Sequence, residues 1–235
     1  MAAPAGRYTH RAMAWEEVPP PRETRPEELL ADVGRAQTTV KLLVGPPLRR
    51  YFSMEVVGAE GVPREGPVIL TPNHESMWDV PLLAVGAPRP IVFMAKSSVF
   101  SNPFKARFFT LLGGFPVRRG GRDFEAMKRS LAVVRAGRAL CLYPEGTRHR
   151  GVQLGPFLPG AAWIALAEGV PLVPVGIQGT AGIWPKGSLV PRPAKVRIAF
   201  GEPIRVGREP RAIARRKRIE ELTTELQGRV AALMR

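Results

Sequence analysis

The sequence predicts an α/β fold: a single domain with a mainly parallel, mixed sheet flanked by helices, joined to an N-terminal amphipathic helix. Three observations carry the prediction. Short apolar runs alternate with stretches of helical periodicity along most of the chain, the pattern of strand–helix–strand units. The 235 residues, 45% of them apolar, suffice for one well-packed core. The polar blocks that could carry chemistry follow apolar runs directly, and open α/β sheets bind ligands outside the carboxyl ends of their strands.

Met1 to Arg25 is rich in Pro, Ala and charge, and Pro19-Pro20-Pro21 breaks any helix, so this segment reads as a flexible leader. From Pro26 the pattern changes. Leu29, Leu30, Val33, Val40, Leu43 and Val44 recur at helical spacing with Arg35 and Lys41 on other faces. Gly45-Pro46-Pro47 is expected to end this helix, which occupies 26–47. Its apolar face suits either the headgroup boundary of a membrane or the side of the domain, and the sequence leaves both readings open. The domain proper is expected over 48–207. Its candidate strands are Met54–Val57, Val68–Thr71, Ile91–Ala95, Phe115–Val117, Ala139–Tyr143, Leu172–Ile177 and Val196–Phe200. Met77–Val85, Pro103–Leu112, Asp123–Ala136 and Ala161–Ala167 read as the intervening helices. The tail, 208–235, sets Ile213, Leu222, Leu226, Val230 and Leu233 against Arg211, Arg215, Arg216, Lys217 and Arg218. It reads as a basic amphipathic helix with either a solvated charged face or a membrane-surface role.

A formal charge of +15 and a pI near 11.2 call for an anionic partner: a phosphorylated substrate, an anionic membrane surface or nucleic acid. Aromatic residues make up only 7% and do not interleave with basic ones, which argues against nucleic acid. The single cysteine, Cys141, lies in an apolar run, so it reads as a buried thiol. It forms no disulfide within the chain and no cysteine metal cluster. No apolar run approaches the roughly 18 to 20 residues that span a bilayer, and the N-terminus lacks a compact apolar core before a cleavage site. The expectation is a protein without a transmembrane span or signal peptide, reaching any lipid peripherally from the cytoplasmic face.

Directly after Val68-Ile69-Leu70 comes Asn73-His74-Glu75-Ser76-Met77-Trp78-Asp79. Deprotonating an alcohol near neutral pH suits histidine, and a carboxylate on its second nitrogen fixes the tautomer and stabilises the imidazolium. On one continuous helix, positions five apart lie about 140° around the axis, so His74 and Asp79 meet only if a turn at Asn73-His74 separates strand from helix. A His and an Asp at one chosen spacing are common by chance, and Ser76 or Asp79 could simply cap a helix.

A second block runs from the apolar Ala139–Tyr143 into Pro144-Glu145-Gly146-Thr147-Arg148-His149-Arg150-Gly151. Glycine lets backbone approach a ligand closely, a threonine hydroxyl donates, and guanidinium grips phosphate with two parallel hydrogen bonds. The competing reading is a turn with solvated arginines.

Together these blocks resemble the lysophosphatidic acid acyltransferase family, whose four motifs run in a fixed order that is kept over about residues 50–205. Asn73, His74 and Asp79 match the first motif. Gly114-Phe115-Pro116-Val117-Arg118-Arg119 matches the second loosely, Tyr143 through Arg148 the third, and Val170-Pro171-Leu172-Val173-Pro174-Val175 the fourth. The resemblance implies transfer of a fatty acyl group from acyl-CoA or acyl carrier protein to a lysophospholipid hydroxyl, with no metal or other cofactor. It implies His74 as general base and Asp79 as its orienting carboxylate. Substrate contacts would come from Asn73, Arg119, Glu145, Gly146, Thr147 and Arg148. The chain departs from the family at Arg118, where an acidic or polar residue is usual, at His149, where Ser is usual, and at Leu158, where many relatives carry Lys. These bear on the acceptor head group, and an acceptor other than lysophosphatidate stays open. So does a non-catalytic anionic-membrane or nucleic-acid binding protein, although that reading gives no reason for His74 and Asp79 together.

Overall fold

The computed structural model describes residues 33–117, 123–149, 154–185, 188, 190–209 and 212–235. The expected leader 1–25 and the start of the 26–47 helix lie outside them, as do Arg118, Arg119 and Arg150. The described chain builds a seven-stranded sheet in the order β1-β7-β6-β2-β5-β3-β4. The strands are β1 Glu55–Val57, β2 Val68–Pro72, β3 Ile91–Lys96, β4 Gly114–Val117, β5 Ala139–Cys141, β6 Leu172–Gln178 and β7 Arg197–Phe200. All neighbours are parallel except β6 and β7, so the sheet is mixed around a parallel centre.

Apolar runs make buried strands here because helices cover both faces. Val68 and Leu70 point to one face with Ile91, Phe93, Cys141 and Val175, under α1 (Val33–Tyr51), α2 (Asp79–Gly86) and α3 (Pro103–Leu111). Ile69 points to the other with Val92, Leu140 and Leu172, under α4 (Phe124–Arg135), α5 (Gly160–Glu168) and α6 (Ala212–Leu233). Asp123 starts α4 by accepting the Ala126 N–H at 3.0 Å.

Two expectations meet a definite outcome at the ends. Gly45-Pro46-Pro47 does not terminate the first helix, which continues to Tyr51 with both prolines inside it. The missing proline N–H groups would have bonded to the carbonyls of Leu42 and Leu43. These residues are 70% and 72% exposed, so the unmade bonds lie on the solvent side of the helix. In return the extension seats Phe52 at 0% exposure, a burial worth about 1.5–3 kcal/mol, and lets Arg49 donate to the Val85 carbonyl at 2.9 Å. Gln37 pins the same helix to the sheet, since its carbonyl oxygen accepts the Ile91 N–H and its amide donates to the Ile91 and Leu112 carbonyls. At the other terminus, α6 buries Ile219, Leu222, Leu226 and Val230 in the core, so its apolar face belongs to the domain. Arg216 and Lys217 remain on its exposed side. Among the described residues no helix is long and apolar enough to cross a membrane.

Candidate active site

Three loops meet at the carboxyl ends of β2, β5 and β6, the adjacent central strands. The chain leaves β2 toward β3 on one side and crosses from β5 to β6 on the other, so the crevice lies where the winding reverses, the general position of ligand sites in open α/β sheets.

His74 and Asp79 share no helix. Residues 73–78 are irregular, α2 starts at Asp79, and His74 Nδ1 lies 2.8 Å from Asp79 Oδ2. The same oxygen accepts the backbone N–H groups of Glu75 at 2.7 Å and Ser76 at 2.8 Å, so the carboxylate both caps the loop and holds the ring. Asp79 is fully buried and His74 nearly so. A proton on Nδ1, assigned from this hydrogen bond, leaves the lone pair on Nε2, the arrangement a general base requires.

Asn73 was expected to touch substrate, but both ends of its amide are engaged elsewhere. It accepts the Ile177 N–H at 2.7 Å and donates to the Ile177 carbonyl at 2.9 Å, adding one rung beyond Pro72↔Val175 in the β2–β6 ladder. Glu145 is a strut of the same kind. Its Oε1 accepts the His74 N–H at 2.7 Å and its Oε2 the Gly155 N–H at 2.8 Å, with only 6% of the residue exposed. The His149 N–H donates to the His74 carbonyl at 2.8 Å, so the block 145–149 grips the His74 backbone from both sides. His149 Nε2 stands 3.8 Å from Glu145 Oε2.

Gly146, Thr147 and Arg148 lie in this block and are exposed. Gly146 has φ +65°, and a Cβ there would sit 2.8 Å from Leu158 Cδ1, so both conformation and space require glycine. The Tyr143 ring packs on the imidazole with centroids 4.2 Å apart. Burial pushes the Tyr143 phenol well above its usual pKa and does the same to the Cys141 thiol, which leaves both neutral near pH 7.

Two side chains at the site carried no signal in the motifs. Thr180 Oγ1 reaches Asp79 Oδ1 at 2.5 Å and lies 3.4 Å from Glu75 Oε2, and both residues are buried. Burial, then the charge of Asp79, pushes the Glu75 carboxyl up to about 7. The position of Thr180 two residues past the end of β6 was the available clue, since sites of this fold gather after several strands at once. Gly179 makes that turn with φ +86°, where a Cβ would collide with the Lys195 carbonyl.

The family model described as Acyltransferase matches residues 53–178. The chain is 31% identical over 169 residues to the chloroplastic 1-acyl-sn-glycerol-3-phosphate acyltransferase BAT2 of Brassica napus, covering 70% of this chain and 48% of that protein. It is 26% identical over 181 residues to the 1-acyl-sn-glycerol-3-phosphate acyltransferase of Bacillus subtilis, covering 77% of this chain and 87% of that one. The chain spans about half the length of several relatives it matches, the Brassica protein among them. The crystal structure of the 1-acyl-sn-glycerophosphate (LPA) acyltransferase PlsC from Thermotoga maritima aligns with a TM-score of 0.65 and 27% identity, over 88% of this chain and 85% of that one.

Proposed function

Because the chain belongs to the Acyltransferase family, we propose that it moves a fatty acyl group from acyl-CoA or acyl carrier protein to the sn-2 hydroxyl of 1-acyl-glycerol-3-phosphate, giving phosphatidic acid. The observation that carries this reading is the buried His74–Asp79 pair, 2.8 Å apart beside the exposed Gly146-Thr147-Arg148. His74 Nε2 takes the proton from the acceptor hydroxyl while its oxygen attacks the thioester carbonyl carbon. The tetrahedral oxyanion collapses, the carbon–sulfur bond breaks, and the imidazolium returns the proton to the departing thiolate. A thioester is already reactive toward an alkoxide, so the protein has chiefly to align two substrates and manage one proton. That chemistry asks for no metal or redox cofactor. Release of free thiol by the purified protein, measured over a panel of lysophospholipids, tests the reading.

Arg148 and Thr147 are assigned to the acceptor phosphate, with Arg119, outside the described residues, as a further contact. Arg148→Lys keeps the charge but loses the two-pronged grip, so the expected result is a KM for lysophosphatidate raised about tenfold with the thioester KM little changed. Equal changes for both substrates would remove Arg148 from the phosphate site. Leu158, an uncharged side chain packed beside Gly146, brings no cation to that site. A preference for an acceptor without a terminal phosphomonoester would favour the alternative acceptors.

A lipid substrate also calls for a membrane-facing surface. Leu42 and Leu43 on α1, with Phe104, 85% exposed, and Phe108 on the adjoining α3, leave apolar side chains outward beside Arg107. This protein, net charge +15, is expected to bind vesicles containing anionic lipid peripherally and to be largely stripped by high salt. Leu42→Ser with Leu43→Ser, or Phe104→Ser with Phe108→Ser, should weaken binding without lowering Tm. Sedimentation with vesicles is the measurement, and unchanged binding in both variants would place the membrane surface elsewhere.

A further inference from the structure

We infer that Thr180 and Glu75 are positioning residues that act on His74 through Asp79, in a hydrogen-bonded chain that is complete only while Glu75 carries a proton. The inference rests on His74 being the base of the reaction proposed above, but the chain itself is read from geometry. A threonine hydroxyl has one proton to give. At 2.5 Å it is given to Asp79 Oδ1, the oxygen not used by His74, Glu75 N–H or Ser76 N–H. What Thr180 Oγ1 turns toward Glu75 Oε2, 3.4 Å away, is therefore a lone pair. Two acceptors facing each other in a buried site repel unless one of them gains a proton, and the carboxyl is the one that can.

The groups around Glu75 agree on which form it takes. Asp79 at the start of α2 and Glu145 from the loop after β5 both disfavour a further negative charge, and burial does so more strongly. The Ala181 N–H opposes this only in part, since the Thr180 proton is given to Asp79, and the carboxyl is pushed up to about 7. Protonated, Glu75 donates to Thr180, Thr180 to Asp79, and Asp79 accepts from His74. Ionised, it contests the Thr180 proton with Asp79 and sets a second negative charge near the imidazole. Donation from Thr180 withdraws charge from Asp79, which keeps His74 from holding its proton too tightly to act as a base.

The test uses the full chain as wild type, Thr180→Val, Thr180→Ser and Glu75→Gln, with Thr180→Ala in reserve should valine disturb the packing. NMR titration of the imidazoles in the substrate-free protein reads His74 directly, since the sequence has only three histidines. Thr180→Val should move the His74 imidazole titration to higher pH, and Thr180→Ser should return it. In acyl transfer Thr180→Val should lower kcat about 10–100-fold with KM for both substrates within about twofold, and serine should recover most of the loss. Glu75→Gln keeps a donor to Thr180 without a charge, so its ratio of kcat at pH 8.5 to kcat at pH 6.5 should exceed that of wild type several-fold.

Its melting curve gives a second reading. A carboxyl raised on folding stabilises the protein below the unfolded pKa and loses that contribution as pH rises through about 7. The Tm of Glu75→Gln relative to wild type should therefore climb between pH 5 and 8. A His74 titration unmoved by Thr180→Val and Thr180→Ala, or a Tm difference for Glu75→Gln that is flat with pH, overturns the inference. If no thioester and lysophospholipid pair reacts, the proposed reaction falls, while the imidazole titration and the melting curves still decide this one.

Discussion

Replacing His74 with alanine is expected to reduce acyl transfer to below a hundredth of wild type, because general acid–base catalysis typically contributes about 10²–10⁴-fold and Nε2 of His74 is the assigned proton acceptor. The fold should survive. The His74 backbone, not its ring, is what Glu145 and His149 hold at 2.7 and 2.8 Å, and those bonds remain in the variant. A thioester-release assay beside a melting curve separates the two effects. Activity above a hundredth of wild type in a folded variant would show that another group takes the proton.

Asp79→Asn should be nearly as damaging for a different reason. Asparagine can place its carbonyl oxygen where Oδ2 sits, keeping the His74, Glu75 and Ser76 contacts, and turn its amide toward Thr180 Oγ1. What disappears is the negative charge that stabilises the imidazolium formed in the reaction. The comparable change in a serine protease triad costs about 10⁴ in kcat by leaving the imidazole in the wrong tautomer, and with the tautomer kept here a smaller loss, on the order of 10³, is expected. With that charge gone the imidazole also binds its proton less tightly, so the acid limb of kcat/KM should move to lower pH. A variant that folds, keeps its activity and shows an unmoved limb would make Asp79 a capping residue alone.

Much of this architecture is legible in the sequence because strands and helices write local periods. All seven strands and the four helices between them fall within about two residues of where the apolar runs place them. Turn chemistry misled at Gly45-Pro46-Pro47, where the helix continues through both prolines to Tyr51 and Phe52 is seated in the core. Within the site, the pair His74 and Asp79 is common by chance on its own, and it was the order of the surrounding motifs that singled it out. Roles set by distant partners could not be read this way. Asn73 looks like a substrate ligand until β6 arrives to take both ends of its amide, and Thr180 is an ordinary threonine until its turn reaches Asp79. Neither partnership leaves a periodic trace.

The contacts that frame His74 and Asp79 also bear on how the protein comes to exist. Glu145 meets His74 across 71 positions of chain, Thr180 meets Asp79 across 101, and Asn73 meets Ile177 across 104. Contacts of such separation close late and slowly, after the entropy of long loops has been overcome. A nascent chain that has emerged only as far as β5 has its histidine and its aspartate but neither the β6 ladder nor the Thr180 turn to hold their loop. The frame around His74 and Asp79 is therefore complete only once β6, the last central strand, and the Thr180 turn are in place.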